Sequence, residues 1–159
     1  MPRHFTTIEL DGADPRLCRL TEFWQAGRPA PDLLPKRAIV DPLQLRDLLG
    51  RLTMVDVLRQ DNGQPRFRYR LFGTGYNFYH GRDMTGKFVD EVAAESLRED
   101  LLKVYAIAAN TAQPGYYAYD YAVDMRLHRF QAALLPLAED GAAVDTVLTC
   151  AVPLSHDSP

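Results

Sequence analysis

Tyr116, Tyr117, Tyr119 and Tyr121 crowd one short run of the sequence, with Phe130 a little further on. In an extended segment alternation puts Tyr117, Tyr119 and Tyr121 on one side and Tyr116, Ala118, Asp120 and Ala122 on the other. A tyrosine face combines apolar area with hydrogen-bonding tips, which suits the wall of a small-molecule pocket. It suits packing under a covering helix equally well. On the following run Phe130, Ala132 and Leu134 alternate with Arg129, Gln131 and Ala133, and the small side chains of Ala132 and Ala133 leave room beside the aromatics.

Other residues offer different chemistry. Arg66, Arg68 and Arg70 make a positive stripe of about 13 Å at roughly 3.3 Å per residue, able to hold a carboxylate, a phosphate or an acidic partner. The ordinary alternative is a solvated strand face balanced by acids on the paired strand, with Asp56 the candidate. The segment GRDMTGKF from Gly81 matches a phosphate-binding loop at its glycines and Lys87, but Phe88 stands where a hydroxyl must reach magnesium. Gly81 and Gly86 read better as turn residues. The histidines His4, His80, His128 and His156 are scattered, neither cysteine lies close to one, and local spacing assembles no metal site. Ser96 is better read as a capping or surface residue than as a nucleophile. Asp120, if buried, could serve a small isomerase as general base; paired with an arginine such as Arg129, it is a surface ion pair. No catalytic residue is assigned.

The elements that must position these residues follow from punctuation and period. Residues 1–13 read as a loose arm. Asp14-Pro15 is a helix start, Leu17, Leu20, Phe23 and Trp24 keep helical spacing, and Gly27 is a stop. This apolar stripe must cover either its own sheet or another subunit. Pro29, Pro31 and Pro35 mark an extended linker. Asp41-Pro42 repeats the cap, and Leu45, Leu48 and Leu49 before Gly50 predict a helix of about two turns. Residues 52–59 predict a strand, Asp61-Asn62-Gly63 a turn, and Arg66 to Leu71 a second strand with Phe67, Tyr69 and Leu71 on one face. Gly73, Gly75, Gly81 and Gly86 then break the chain into short pieces. Residues 94–110 predict a helix of about four turns through Leu97, Leu101, Val104, Tyr105 and Ala108. Strands follow at 116–123, 128–137 and 144–152, and 155–159 reads as a disordered tail.

Hairpin-like spacing with one helical crossover makes an antiparallel sheet of five strands with helices on one face the economical solution, an α+β class. The division is an arm and helical extension at 1–50, a core at 51–153 and a tail at 154–159. The chain of 159 residues is 47% hydrophobic with net charge −3, enough apolar content for one packed core and no broad basic surface for nucleic acid. No apolar run approaches the roughly 20 residues that span a bilayer, and the first residues hold no secretion signal. A cytoplasmic protein with Cys18 and Cys150 as reduced thiols is expected.

This order of elements, and the residues within it, resemble a PAS domain. The resemblance rests on Asn77 after the second strand, Gly81 four residues on, Gly86-Lys87, and Asp90 or Glu91. RYRLFGTG, the downstream TGK and the turns at Leu34-Pro35 and Asp41-Pro42 look like one family of short bacterial PAS-like proteins. It covers about residues 15–152 and implies a sensory or interaction module: a five-stranded antiparallel sheet, short helices enclosing a cavity on one face, and an N-terminal helix extension suited to homodimerisation. PAS domains hold haem, flavin or a metabolite there, or fill the space with side chains; the cofactor stays open here. His80 is where a haem ligand would stand. A flavin photosensor needs a cysteine in the middle helices, and both cysteines lie elsewhere. The expected ligand contacts are Tyr76, Tyr79, Tyr105, Tyr117, Tyr119 and Phe130. Output is expected through a partner protein. The rival readings are a cone-shaped α+β enzyme using Asp120 and a purely structural dimerisation domain.

Overall fold

A computed structural model of the chain describes residues 5–73, 83–123 and 125–154, with the backbone alone at 121–123. Six strands form one sheet in the order β1-β4-β5-β6-β2-β3, every neighbouring pair antiparallel. They are β1 (Thr6–Thr7), β2 (Leu52–Arg59), β3 (Pro65–Phe72), β4 (Gly115–Val123), β5 (Arg126–Leu137) and β6 (Thr146–Pro153). Among the described residues two α-helices flank it, α1 (Pro15–Ala26) and α2 (Glu95–Thr111). The β2–β3 and β4–β5 hairpins lie where turn residues predict them, and Met125 takes φ 65° in the tight turn between Val123 and its partner Arg126.

Local chemistry explains the termini. The Asp14 side chain accepts a hydrogen bond from the Arg16 N–H at 2.9 Å, and Pro15 opens α1. The Arg16 guanidinium, hydrogen-bonded to the same carboxylate, holds it below the usual range. The stripe of α1 covers its own sheet: Leu17, Leu20 and Trp24 are buried, and Trp24 Nε1 donates to the Pro136 carbonyl at 2.8 Å. Tyr116 and Thr21 hydroxyls meet at 3.0 Å, and the Asp14 N–H donates to Gln131 Oε1 at 2.8 Å. Between α1 and β2, Leu34, Leu45 and Leu48 join the same core, so the residues before 51 and those after it pack as one body.

Three expectations change. Residues 6–7 are not a loose arm but a sixth strand, paired with β4 at Thr6↔Ala118 and Thr7↔Tyr117. The helix expected after Asp41 is instead a string of turns ending in a 3₁₀ turn at Leu49–Arg51. Asp41 does cap the Leu43 N–H at 3.0 Å, but the segment is too short to repay helix nucleation, and i→i+3 bonds from Leu48 to Leu45 and from Arg51 to Leu48 take over. The third change is in β3. Val55 pairs with Tyr69 but Met54 with Leu71, so Arg70 is an extra residue, a bulge. Phe67 and Tyr69 are buried as the alternation predicts; beyond the bulge Phe72 takes the next inward place and Leu71 is exposed.

At the end of β3 a glycine is compulsory. A Cβ on Gly73 would lie 2.6 Å from the Gly50 carbonyl oxygen and 2.8 Å from that of Leu52. Further on, Gly86 turns at φ 83° and returns the chain to the free edge of β3, where Gly86 N–H donates to Tyr69 O at 2.7 Å and Tyr69 N–H to Lys87 O at 2.8 Å. Short segments thus close both ends of the sheet: the two-residue β1 beside β4, and residues 86–88 beside β3.

Candidate functional site

The face of the sheet opposite α1 is roofed by α2. Alternation and register bring Thr53 of β2, Tyr69 and Phe72 of β3, Tyr119 of β4, Ala132 and Leu134 of β5, and Thr149 and Ala151 of β6 to one side. Leu97, Leu101 and Tyr105 come down from α2, and Phe5 closes the end next to β1. The space they leave has a volume of about 40 Å³. That exceeds the ~15 Å³ one water needs and is far smaller than a pocket that holds a whole drug-sized ligand.

Its polarity is spare and neutral. The Tyr105 hydroxyl and Thr149 Oγ1 are 3.0 Å apart, and Thr149 faces Thr53 across the β2–β6 pair. Burial pushes the Tyr105 phenol up to about 12, with the Thr149 hydrogen bond opposing the rise. Burial raises Tyr69 well above its ordinary value, helped by the neighbouring Tyr105 and Tyr119. Both phenols therefore stay protonated at neutral pH and act as neutral hydrogen-bonding groups. The aromatics are ordered by one another: Phe5 stacks on Tyr119 at 4.2 Å between centroids, Tyr119 on Phe130 at 5.2 Å, and Tyr69 meets Phe72 edge-on at 5.1 Å.

A second space lies outside this one, between α2 and the β1–β4 edge. It is a groove of about 260 Å³ lined by Phe5, Thr7, Asp100, Lys103, Val104, Ile107 and Tyr117. Phe5 lines both the inner cavity and the groove.

The charged candidates sit elsewhere. Arg68 and Arg70 both reach Asp56, at 3.3 and 2.8 Å, and Arg66 pairs with Asp90 at 2.9 Å while lying over the Phe88 ring. The stripe is thus balanced by acids, Asp56 on the paired strand among them. Asp120 and Arg129 are cross-strand partners 3.8 Å apart, on the side of β4 away from the cavity. Cys18 and Cys150 are both free thiols, and burial pushes Cys150 up to about 12. Among the described residues no group of three His, Cys, Asp or Glu side chains gathers as for a metal ion.

A family model described as a PAS domain matches residues 13–152. The chain belongs to the PAS domain family. No curated protein and no solved structure gave a significant match. The PAS assignment agrees with the antiparallel sheet, the helical roof and the cavity between them, and makes the protein a sensory or regulatory module in the general sense of its family. Among the described residues no helix is long and apolar enough to cross a membrane.

Of the six ligand contacts expected from the sequence, Tyr105 and Tyr119 line the PAS cavity. Phe130 stacks behind Tyr119, and Tyr117 faces the outer groove. Tyr76 and Tyr79 lie outside the described residues, as do Asn77, His80 and Gly81. Sequence reasoning missed Phe5, Thr53, Tyr69, Phe72 and Thr149 as cavity residues. Tyr69 was legible as inward-facing from alternation, whereas Phe72 was hidden by the bulge. For Phe5 the one available signal is an aromatic followed by two β-branched threonines.

Proposed function

We propose that this PAS domain senses a small, mainly apolar molecule and passes its state to a partner protein through movement of α2 against the sheet. The observation that carries the reading is the cavity of about 40 Å³ left between α2 and the inner face, with the hydroxyl pair Tyr105–Thr149 in its wall. Apolar walls supply affinity and the hydroxyls supply orientation. A ligand larger than this space is accommodated by shifting Leu97, Leu101 and Tyr105 on α2, and that shift is the signal. Tyr105, Tyr119 and Phe130 are the contacts on the sheet and roof, with Tyr69 and Phe72 added.

In this reading the protein works in the cytoplasm, touches neither nucleic acid nor membrane, and forms a homodimer with α1 at the interface. Leu17, Leu20 and Trp24 are already covered by their own sheet, so the dimer contact falls to the outward side of α1, where Phe23 is only half-buried. No catalytic step is assigned. Asp120, the base that an enzyme reading needs, faces away from the cavity and toward Arg129.

Native mass spectrometry of freshly purified protein tests both parts. The expected result is a dimer whose mass exceeds that of two denatured chains by a bound compound, the excess falling in Ala132→Leu, which fills the cavity. An unliganded spectrum for protein purified from several growth conditions, with no small molecule gained on incubation with a metabolite extract, contradicts the sensing reading. A monomer at micromolar concentration contradicts the dimer.

A further inference from the structure

The inner cavity holds more hydroxyl hydrogens than its walls take up. Thr53, Tyr69, Tyr105 and Thr149 are all buried and all line it. The Tyr105–Thr149 contact at 3.0 Å uses one hydrogen of that pair. Among the described residues none accepts a hydrogen bond from the pair's second hydroxyl, from Thr53 or from Tyr69. Tyr69 is the clearest case: it is 2% exposed, its ring is held edge-on to Phe72, and its phenol stays protonated at neutral pH. Register keeps these groups together. Thr53 stands between Thr149 on β6 and Phe72 on β3, whose ring meets that of Tyr69.

A buried O–H without an acceptor costs stability. Water and alcohols accept such hydrogens, but each brings hydrogens of its own. A carbonyl oxygen brings none and offers two lone pairs. Charge narrows the choice further. Among the described residues no charged side chain lines the cavity, so a carboxylate or an ammonium group loses its hydration there with no counter-ion in the wall. We propose that the cavity binds a small uncharged carbonyl compound, such as a ketone or lactone, whose oxygen accepts a hydrogen bond from Tyr69 and whose apolar body rests on Leu97, Leu101 and Leu134. The carbonyl preference rests on the sensing reading above, in which this cavity holds the ligand.

NMR titration of the full isotope-labelled chain at pH 7 with cyclopentanone, cyclopentanol and sodium cyclopentanecarboxylate compares three polar groups on one ring. Cyclopentanone is expected to bind roughly fivefold tighter than cyclopentanol, about the worth of one net hydrogen bond. The carboxylate is expected to show no saturable binding. Ala132→Leu fills the space and should weaken ketone and alcohol alike. Tyr69→Phe keeps the ring and removes one unmatched hydrogen, so it should unfold in urea as the parent does and lose the preference for the ketone. Thr53→Val, of the same shape, should reduce that preference about twofold. Equal binding of ketone and alcohol, tighter binding of the alcohol or the carboxylate, or a ketone preference that survives in Tyr69→Phe overturns the carbonyl assignment and leaves the cavity as a ligand site. A marked loss of stability in Tyr69→Phe also overturns it, by showing that the hydroxyl is already matched in the free protein. No binding of any probe, or binding that Ala132→Leu leaves unchanged, overturns the assignment and counts against the cavity as a ligand site as well.

Discussion

The two faces of the sheet are built to different standards. On the outer face Leu135, Cys150 and Val152 show no exposed surface, α1 lies against the strands, and Trp24 and Tyr116 each find a hydrogen-bond partner across the interface. On the inner face the roof stops short, leaving about 40 Å³ among aromatic rings and hydroxyls, Tyr105 and Thr149 among them. Close packing is where stability comes from, and every methylene counts there. The stripe of α1, which the sequence left open to its own sheet or another subunit, covers its own sheet, while the face under α2 is left with space.

The largest expected effect is on the outer face. Trp24→Ala removes a fully buried ring and its hydrogen bond to Pro136, and should cost about 3–5 kcal/mol in urea unfolding. A loss below ~1 kcal/mol would mean that α1 is an appendage rather than half of the core. The inner face answers more gently. Tyr105→Phe keeps the ring and removes the hydroxyl that meets Thr149, with an expected loss of about 1–2 kcal/mol and a weaker retained ligand in the native spectrum. If the variant holds its ligand as the parent does, the hydroxyl pair plays no part in recognition.

Much of this contrast was legible beforehand. The cap at Asp14, the spacing of Leu17, Leu20 and Trp24, and the hairpins could be read because each is a local rule: a side chain bonding its own backbone, a period, a turn residue. The alternation that put Tyr117 and Tyr119 together, and left Ala132 beside them, also held. What failed was non-local. A bulge is set by how β3 registers on β2, so nothing in the run RFRYRLF announces that Arg70 is the extra residue and Phe72 the inward one. A strand as short as Thr6–Thr7 has no period to detect; pairing with β4 alone creates it, and with it the position of Phe5. The turns after Asp41 differ: the cap and the spacing were there to be read, but the run is too short to repay helix nucleation, which a period alone does not reveal.

The contrast can be tested within a single strand. Ala132 and Ala133 are adjacent in β5 and both buried, the first lining the cavity and the second facing the opposite side of the sheet. Ala132→Val and Ala133→Val add the same methyl groups to the two sides. In urea unfolding Ala132→Val should match or exceed the parent, because the added groups enter vacant space. Ala133→Val should lose about 1–3 kcal/mol to overpacking. Equal losses, or a larger loss at Ala132, would show that the inner face is packed as tightly as the outer and would contradict the account.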